Sequence, residues 1–345
     1  MYLDTTRSVP DADRRIDVRW RAVRRDLAEQ GADLPTLEAL DDVVGGVPDL
    51  PGPQGEALFA TEGKVLGAYT LAAAPTVDSA RSLPAPDPLL LAFDRDHQVA
   101  HVVVAVDREG ADVEAFPAAA HEPAFQRTFN GSTLHITRVR AGAEAQASFH
   151  RRTVNVWNEN TAQAAQDVRE AVDAVEAQVV LVAGDPKAYG ILREHLETLP
   201  VPLVQVGGGR ADDEARAALR QGADAALAEV SATAHRTALE ELKEALGRGQ
   251  ALEGIPAVKE ALAAGRVETL FLAPDSDAAN ATLFASRKDP LLLGTDPAAF
   301  GEDPTVFSAP AHLLLFRAAV LGNASFSELL PPMRCQDGVA ARLRY

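Results

Sequence analysis

The segment Arg138-Val139-Arg140-Ala141-Gly142-Ala143-Glu144-Ala145-Gln146-Ala147-Ser148-Phe149-His150-Arg151-Arg152 gathers groups that could meet an anionic polymer. Arg138, Arg140, His150, Arg151 and Arg152 form a basic collar around small residues, with Gly142 inside it and Gln146 near the entry to a helix. Guanidinium groups match phosphate oxygens with two parallel donors, so one reading is a phosphate-facing tip. The other is an ordinary turn between a strand and a helix. A second basic face lies in residues 11–30, where Arg14, Arg15, Arg19, Arg21, Arg24 and Arg25 flank an apolar stripe. It could follow a phosphate backbone. With Asp11, Asp13, Asp17 and Asp26 interspersed, it could equally be a solvated helix face.

Other chemistries find less support. Gly207-Gly208-Gly209 follows an apolar run and could cradle a phosphate. It lacks the lysine and spacing of a P-loop and the Gly-x-Gly-x-x-Gly pattern, and reads as a flexible exit. Asp185 could touch a ligand at a strand's carboxyl end, but before Pro186 it suits a helix cap. The histidines form no His-Glu-x-x-His motif, and His101 and His135 lie in or beside strands, as structural residues would. Cys335 has no protease signature around it, and no Gly-x-Ser-x-Gly elbow occurs. The carboxylates are too numerous for a catalytic dyad to be named. No metal and no cofactor are expected.

Periodicity supplies the elements that must position these groups. Ile16, Trp20, Val23 and Leu27 mark an amphipathic helix over 11–30, followed by a short helix over 34–44. Residues 57–60 and 65–71 flank Glu62-Gly63 as a hairpin would. Tyr2-Leu3 opens the chain as a strand, and 74–88, rich in Pro, Asp and Ser, reads as a linker. Residues 99–106 are almost wholly apolar, as in a strand covered on both faces, with a further strand over 111–116. Val154, Trp157, Thr161, Ala164, Val168, Val172 and Val175 draw one stripe along a helix over 149–177. A strand over 179–183, a helix opened by Asp185-Pro186 and a strand over 203–206 follow. Beyond them lie helices over 212–246, 256–264 and 309–321, and strands over 267–273, 326–329 and 339–345.

The expected fold class is therefore α/β, in three domains. Residues 1–88 would be an α+β domain and 89–210 a middle domain with a mostly parallel sheet covered by helices. Residues 211–345 would form a C-terminal α/β domain. Over 345 residues the formal charge is −17, which excludes a uniformly basic coat; any nucleic-acid contact must come from local patches. One cysteine excludes an internal disulfide and a cysteine-cluster metal site. The first 25 residues lack the apolar core of a signal peptide, and no run approaches a membrane span. A cytoplasmic location is expected.

In order and spacing, several motifs resemble the bacterial and archaeal relatives of the class-one release factor and Pelota, including the Balon-type hibernation factors and an actinobacterial release-factor-like or peptidyl-tRNA hydrolase-like branch. They are Tyr2-Leu3-Asp4-Thr5, Arg19-Trp20-Arg21, Val104-Ala105-Val106-Asp107-Arg108 and Trp157-Asn158-Glu159-Asn160. To these are added Gly265-Arg266-Val267-Glu268-Thr269-Leu270 and the ending Gly338-Val339-Ala340-Ala341-Arg342-Leu343-Arg344-Tyr345.

The resemblance implies a middle-domain loop that enters the peptidyl-transferase centre. In true release factors it carries Gly-Arg-Gly-Gly-Gln, and here that pattern falls on Gly142-Ala143-Glu144-Ala145-Gln146. The outer glycine and the glutamine match, while the glycine pair does not. Gly247-Arg248-Gly249-Gln250 looks closer but lies at a helix end. No Asn-Ile-Lys-Ser codon-reading motif is present.

The leading expectation is a non-catalytic factor in the A site of idle or stressed ribosomes. Arg138, Arg140, Gly142, His150, Arg151 and Arg152, together with Arg14, Arg15, Arg21 and Arg25, would face rRNA of the A site and peptidyl-transferase centre. A translational GTPase is implied as a possible further partner. The alternatives are a peptidyl-tRNA hydrolase with Gln146 orienting water, and a small-ligand-binding α/β protein.

Overall fold

The computed structural model describes residues 1–48, 52–107, 109–130 and 143–345, with the backbone alone for 143–158. The chain divides into two compact units, Met1–Asp96 with His235–Tyr345, and His97–Ala234.

The first unit opens with β1 (Tyr2–Asp4), α1 (Ala12–Glu29), α2 (Leu34–Asp41), β2 (Gly55–Thr61) and β3 (Lys64–Leu71). The strands form an antiparallel sheet in the order β1-β2-β3. Glu62 and Gly63, both at positive φ, make the two-residue turn that matches strand twist. The α1 stripe of Ile16, Trp20, Val23 and Leu27 is buried against Leu3, Leu37, Leu40 and Leu58. Residues 74–88, which read as a linker, are tied down. Tyr2 and Ser79 exchange backbone hydrogen bonds of 2.7 and 2.9 Å, and Asp78 accepts from Arg19 at 2.8 Å. Helix α3 (Leu89–Asp96) follows, and its Leu89 is buried with Leu270, Leu272 and Leu314. The 88/89 division expected from composition thus falls immediately before a helix that packs with the first unit.

The middle unit holds β4 (His101–Val106), β5 (Gly110–Phe116), β6 (Phe125–Asn130), α4 (Ala143–Val175), β7 (Val179–Gly184), α5 (Pro186–His195) and β8 (Leu203–Gln205). The first part of α6 (Asp213–Gly247) completes it. One face of the sheet packs Val102, Val104, Val106, Val180 and Val182 under Ala164, Val168, Ala171 and Val172 of α4. The other packs Val179, Leu181 and Ala183 against Leu219 and Ala223 of α6. Both faces are covered, which explains the unbroken apolar runs. Strand order is β6-β5-β4-β7-β8. It is parallel across β4-β7-β8 and antiparallel across β6-β5-β4. The sheet is therefore mixed, a correction to the mostly parallel one expected. A connection as short as 107–109 permits only an antiparallel neighbour.

After α6 come β9 (Ala251–Glu253), α7 (Ile255–Ala263), β10 (Val267–Leu272), β11 (Thr282–Ser286), β12 (Leu293–Gly294), β13 (Val306–Pro310), α8 (Ala311–Leu321), β14 (Ser325–Glu328) and β15 (Val339–Leu343). They build a four-stranded sheet, β14-β10-β15-β9, and a small antiparallel one, β12-β11-β13. Leu313, Leu314 and Leu315 of α8 are all buried, as in a helix covered on most sides.

Asp96 joins three elements of this unit. Its Oδ2 lies 2.7 Å from His235 Nε2 and accepts from Ser327 Oγ at 3.2 Å and the Glu328 amide at 2.7 Å. Asp96→Ala removes an acceptor shared by three donors. It is expected to cost about 2 kcal/mol of stability, measured as a lower urea midpoint at unchanged slope.

Candidate functional site

The parallel register of β4 and β7 sets Val106 beside Gly184, so both strands end at one level. The Gly110–Asn130 pair brings the end of β6 to the same edge. Among the described residues four chain segments emerge there, after Val106, Asn130, Gly184 and Gln205, and the second leads into the basic segment. Helix α4, on which that segment ends, is tied to β6 by Arg127. Its guanidinium donates to Asp167 Oδ1 at 2.9 Å and Glu170 Oε2 at 2.7 Å. Asp167 is buried, and the Gln166 amide together with Arg127 holds the Glu170 carboxyl below its usual range.

Asp185 is a cap, accepting from the Lys187 amide at 2.8 Å and the Ala188 amide at 3.3 Å. The triple glycine is neither a cradle nor a flexible exit. Gly208 has φ +96°, and a Cβ there would lie 2.3 Å from Leu219 N and 2.5 Å from Ala215 O. Gly209 donates its amide to Ala215 O at 3.1 Å. The turn is pressed onto α6, and the next residue, Arg210, points back at the sheet edge. Its side chain, 13% exposed, reaches Asn130 Oδ1 at 2.6 Å, Asp112 Oδ2 at 3.3 Å and Asp107 Oδ1 at 3.7 Å. Sequence reading did not single out Arg210. A lone arginine after three glycines gives no local sign of partners about 80 residues earlier in the chain.

Of the residues expected at the tip, Arg138, Arg140 and Gly142 lie outside the described residues, as does His135. Gln146, His150, Arg151 and Arg152 lie on α4, with side chains outside the described residues. Ala143, Glu144, Ala145 and Gln146 are the first four residues of that helix.

Arg14, Arg15, Arg21 and Arg25 lie on α1, in the other unit. Arg15 pairs with Asp11 at 3.1 Å, Arg21 pairs with Asp17, and Arg25 stands 4.0 Å from both Asp26 and Glu29. Arg19 and Arg24 are also spent, on Asp4 with Asp78, and on Asp41. Arg14 makes no ion pair among the described residues. Most of the α1 face is thus a lattice of Asp–Arg pairs.

The remaining candidates resolve as structure. His101 Nδ1 is 2.8 Å from Val99 O and its ring stacks on Phe116, while burial lowers its pKa. Gly247-Arg248-Gly249-Gln250 ends α6, with Gly249 at φ +70° and the Gln250 amide donating to Ala245 O.

Residues 100–248 match the family model of bacterial archaeo-eukaryotic release factor family 2. The middle of the chain is release-factor-like. No curated protein matches the sequence. Among solved structures, Pelota of Archaeoglobus fulgidus is 14% identical over 85% of this chain and 79% of its own, at a TM-score of 0.33. The translation termination-like factor Dom34 of S. cerevisiae is 10% identical over 85% and 79%, at 0.41. An archaeal Pelota in a ribosome-bound model with ABCE1 is 18% identical over 85% and 78%, at 0.43. The release-factor-like segment spans the whole described edge, from β4 through α6. Among the described residues no helix is long and apolar enough to cross a membrane.

Cys335, which has no protease signature around it, gives a test of its own. Burial and the neighbouring Glu253 push its thiol up to about 11. At pH 8 the thiolate fraction is then about 100-fold below that of an ordinary cysteine. Iodoacetamide labelling is expected to be slower by about that factor, rising tenfold per pH unit up to the thiol pKa. Rapid labelling at pH 8 would contradict it.

Proposed function

We propose that the protein is a translation-factor homologue that occupies the A site of idle or stressed ribosomes in the cytoplasm and does not hydrolyse peptidyl-tRNA. The observation that carries this reading is the entry to α4 within the release-factor-like segment. Where the family pattern has its glycine pair and glutamine, this chain has Glu144-Ala145-Gln146, already helical. Right-handed helical backbone makes no use of glycine's freedom. Glu144 in the first turn suits the positive end of a helix dipole. The same carboxylate would repel a hydroxide-like nucleophile and the phosphates around it. The entry is built to hold a shape, not to guide water.

Arg138, Arg140, Arg151 and Arg152 supply the local positive charge for rRNA of the A site and peptidyl-transferase centre, with His150 beside them. On a chain of charge −17, binding would depend on that collar and on shape rather than on bulk attraction. The Asp–Arg pairing on α1 supports giving Arg14, Arg15, Arg21 and Arg25 a lesser share. A translational GTPase is a further partner in this reading. A small ligand at the carboxyl edge of the sheet has less to support it, since Arg210 and the glycine turn there are engaged in internal contacts.

The purified protein is expected to co-sediment with vacant ribosomes. Its log affinity should fall linearly with log salt, by about 0.7 to 0.9 per phosphate neutralised. Arg138→Glu with Arg140→Glu should weaken binding at least about tenfold and flatten that slope. Gln146→Ala should bind like the parent, and neither protein should release peptide from stalled peptidyl-tRNA. Turnover abolished by Gln146→Ala would establish a peptidyl-tRNA hydrolase instead. Absence from ribosomal fractions at low salt would remove the ribosome from the account.

A further inference from the structure

We propose that Arg210 is a positioning residue: it locks the exit of β6, so that the chain enters the basic segment from a fixed point. Its consequence for binding rests on the ribosomal reading above; its structural part does not. Among the described residues β6 is an edge strand, hydrogen-bonded to β5 alone. Such a strand frays at its end unless something holds it. Its last two residues, Phe129 and Asn130, both meet Arg210, the carbonyl of Phe129 at 3.5 Å and Oδ1 of Asn130 at 2.6 Å. The same guanidinium reaches Asp112 on β5 and Asp107 after β4, at 3.3 and 3.7 Å. One planar group thereby joins the ends of three strands.

The surroundings are shaped for that contact. At Gly110, opposite Asn130, a Cβ would lie 1.8 Å from Phe129 O and 2.9 Å from an Arg210 nitrogen. Asp107 also accepts from the Glu109 and Gly110 amides, at 2.7 and 2.8 Å, which fixes the carboxylate that Arg210 approaches. The Gly208 turn, possible only without a Cβ, carries the chain off β8 and aims Arg210 back. The triple glycine thus finds its use as the delivery of one arginine.

With two carboxylates and an amide oxygen around it, Arg210 is committed inward and has no role as a phosphate ligand. Lysine could not replace it, because a point ammonium lacks the planar fork that spans several acceptors. Arg127 fixes the same strand to α4 through Asp167 and Glu170, so β6, which leads into the basic segment, is held at its end by Arg210 and along its length by Arg127. Anchoring of this kind lowers the ordering cost of binding.

Hydrogen exchange on the full chain tests the lock directly. In Arg210→Ala and Arg210→Lys, amides of 110–114 and 125–130 should exchange at least about tenfold faster, while β7 and α5 keep their protection. Ribosome affinity should fall about 3- to 10-fold, with the salt slope unchanged because no phosphate contact is lost. Unaltered exchange at β6, or full rescue by lysine, would overturn the proposal. So would a flattened salt slope, which would make Arg210 a phosphate ligand. If Arg210→Ala does not fold, Asn130→Ala removes only the 2.6 Å bond and is read by the same measurements. Should the parent protein not bind ribosomes, the exchange result still decides the lock, and only the ribosomal reading falls.

Discussion

A sheet buried on both faces leaves only its edges and strand ends free to act. β4 and β7 are pressed between α4 and α6 by valine, leucine and alanine side chains that are almost fully inaccessible. Burial of this kind contributes about 25 cal/mol per Å² of apolar surface, and it fixes the register that sets Val106 beside Gly184. Whatever leaves the carboxyl edge of this sheet leaves it from defined points. The Asp185 cap, the Arg210 cluster and the exit of β6 all follow from that constraint.

Charge is distributed with similar economy. The chain is strongly acidic, and most arginines whose side chains are described face carboxylates. On α1 these are neighbours one turn away; on β6, Arg127 faces a buried aspartate. Exposed pairs of this sort add little stability, but they cancel the field a run of arginines would create. A basic collar with a single carboxylate, Glu144, among its residues then stands out against a negative body. In the proposed reading, that contrast is what gives the segment a local role in place of general adhesion.

Much of the fold was legible because short-range chemistry dictates it. Glu62-Gly63 marked its hairpin turn, Asp185-Pro186 its helix start, and the valine and alanine stripe the long helix α4. Strand β6 was missed because Phe125-Gln126-Arg127-Thr128-Phe129-Asn130 is a half-exposed edge strand with little apolar signal. The β12-β11-β13 sheet was missed because its strands are short and separated by Pro, Asp and Gly. Residues 74–88 read as a linker because nothing local reveals the pairing of Ser79 with Tyr2. At the candidate site, sequence located the basic collar and the altered glycine pattern. It could not reveal Arg210, whose partners are set by tertiary structure. It also left the arginines of α1 open between two roles, a choice that depended on where each guanidinium came to rest.

The central proposal is that the release-factor-like middle of this chain meets the ribosome through the entry to α4 and holds its place there without chemistry. Electron cryo-microscopy of ribosomes incubated with the full-length protein and intact peptidyl-tRNA tests it most directly. The account predicts density for the protein in the A site, with residues 138–152 against rRNA and the peptidyl ester uncleaved. Density placing another surface against the ribosome, or a deacylated tRNA beside Gln146, would contradict it.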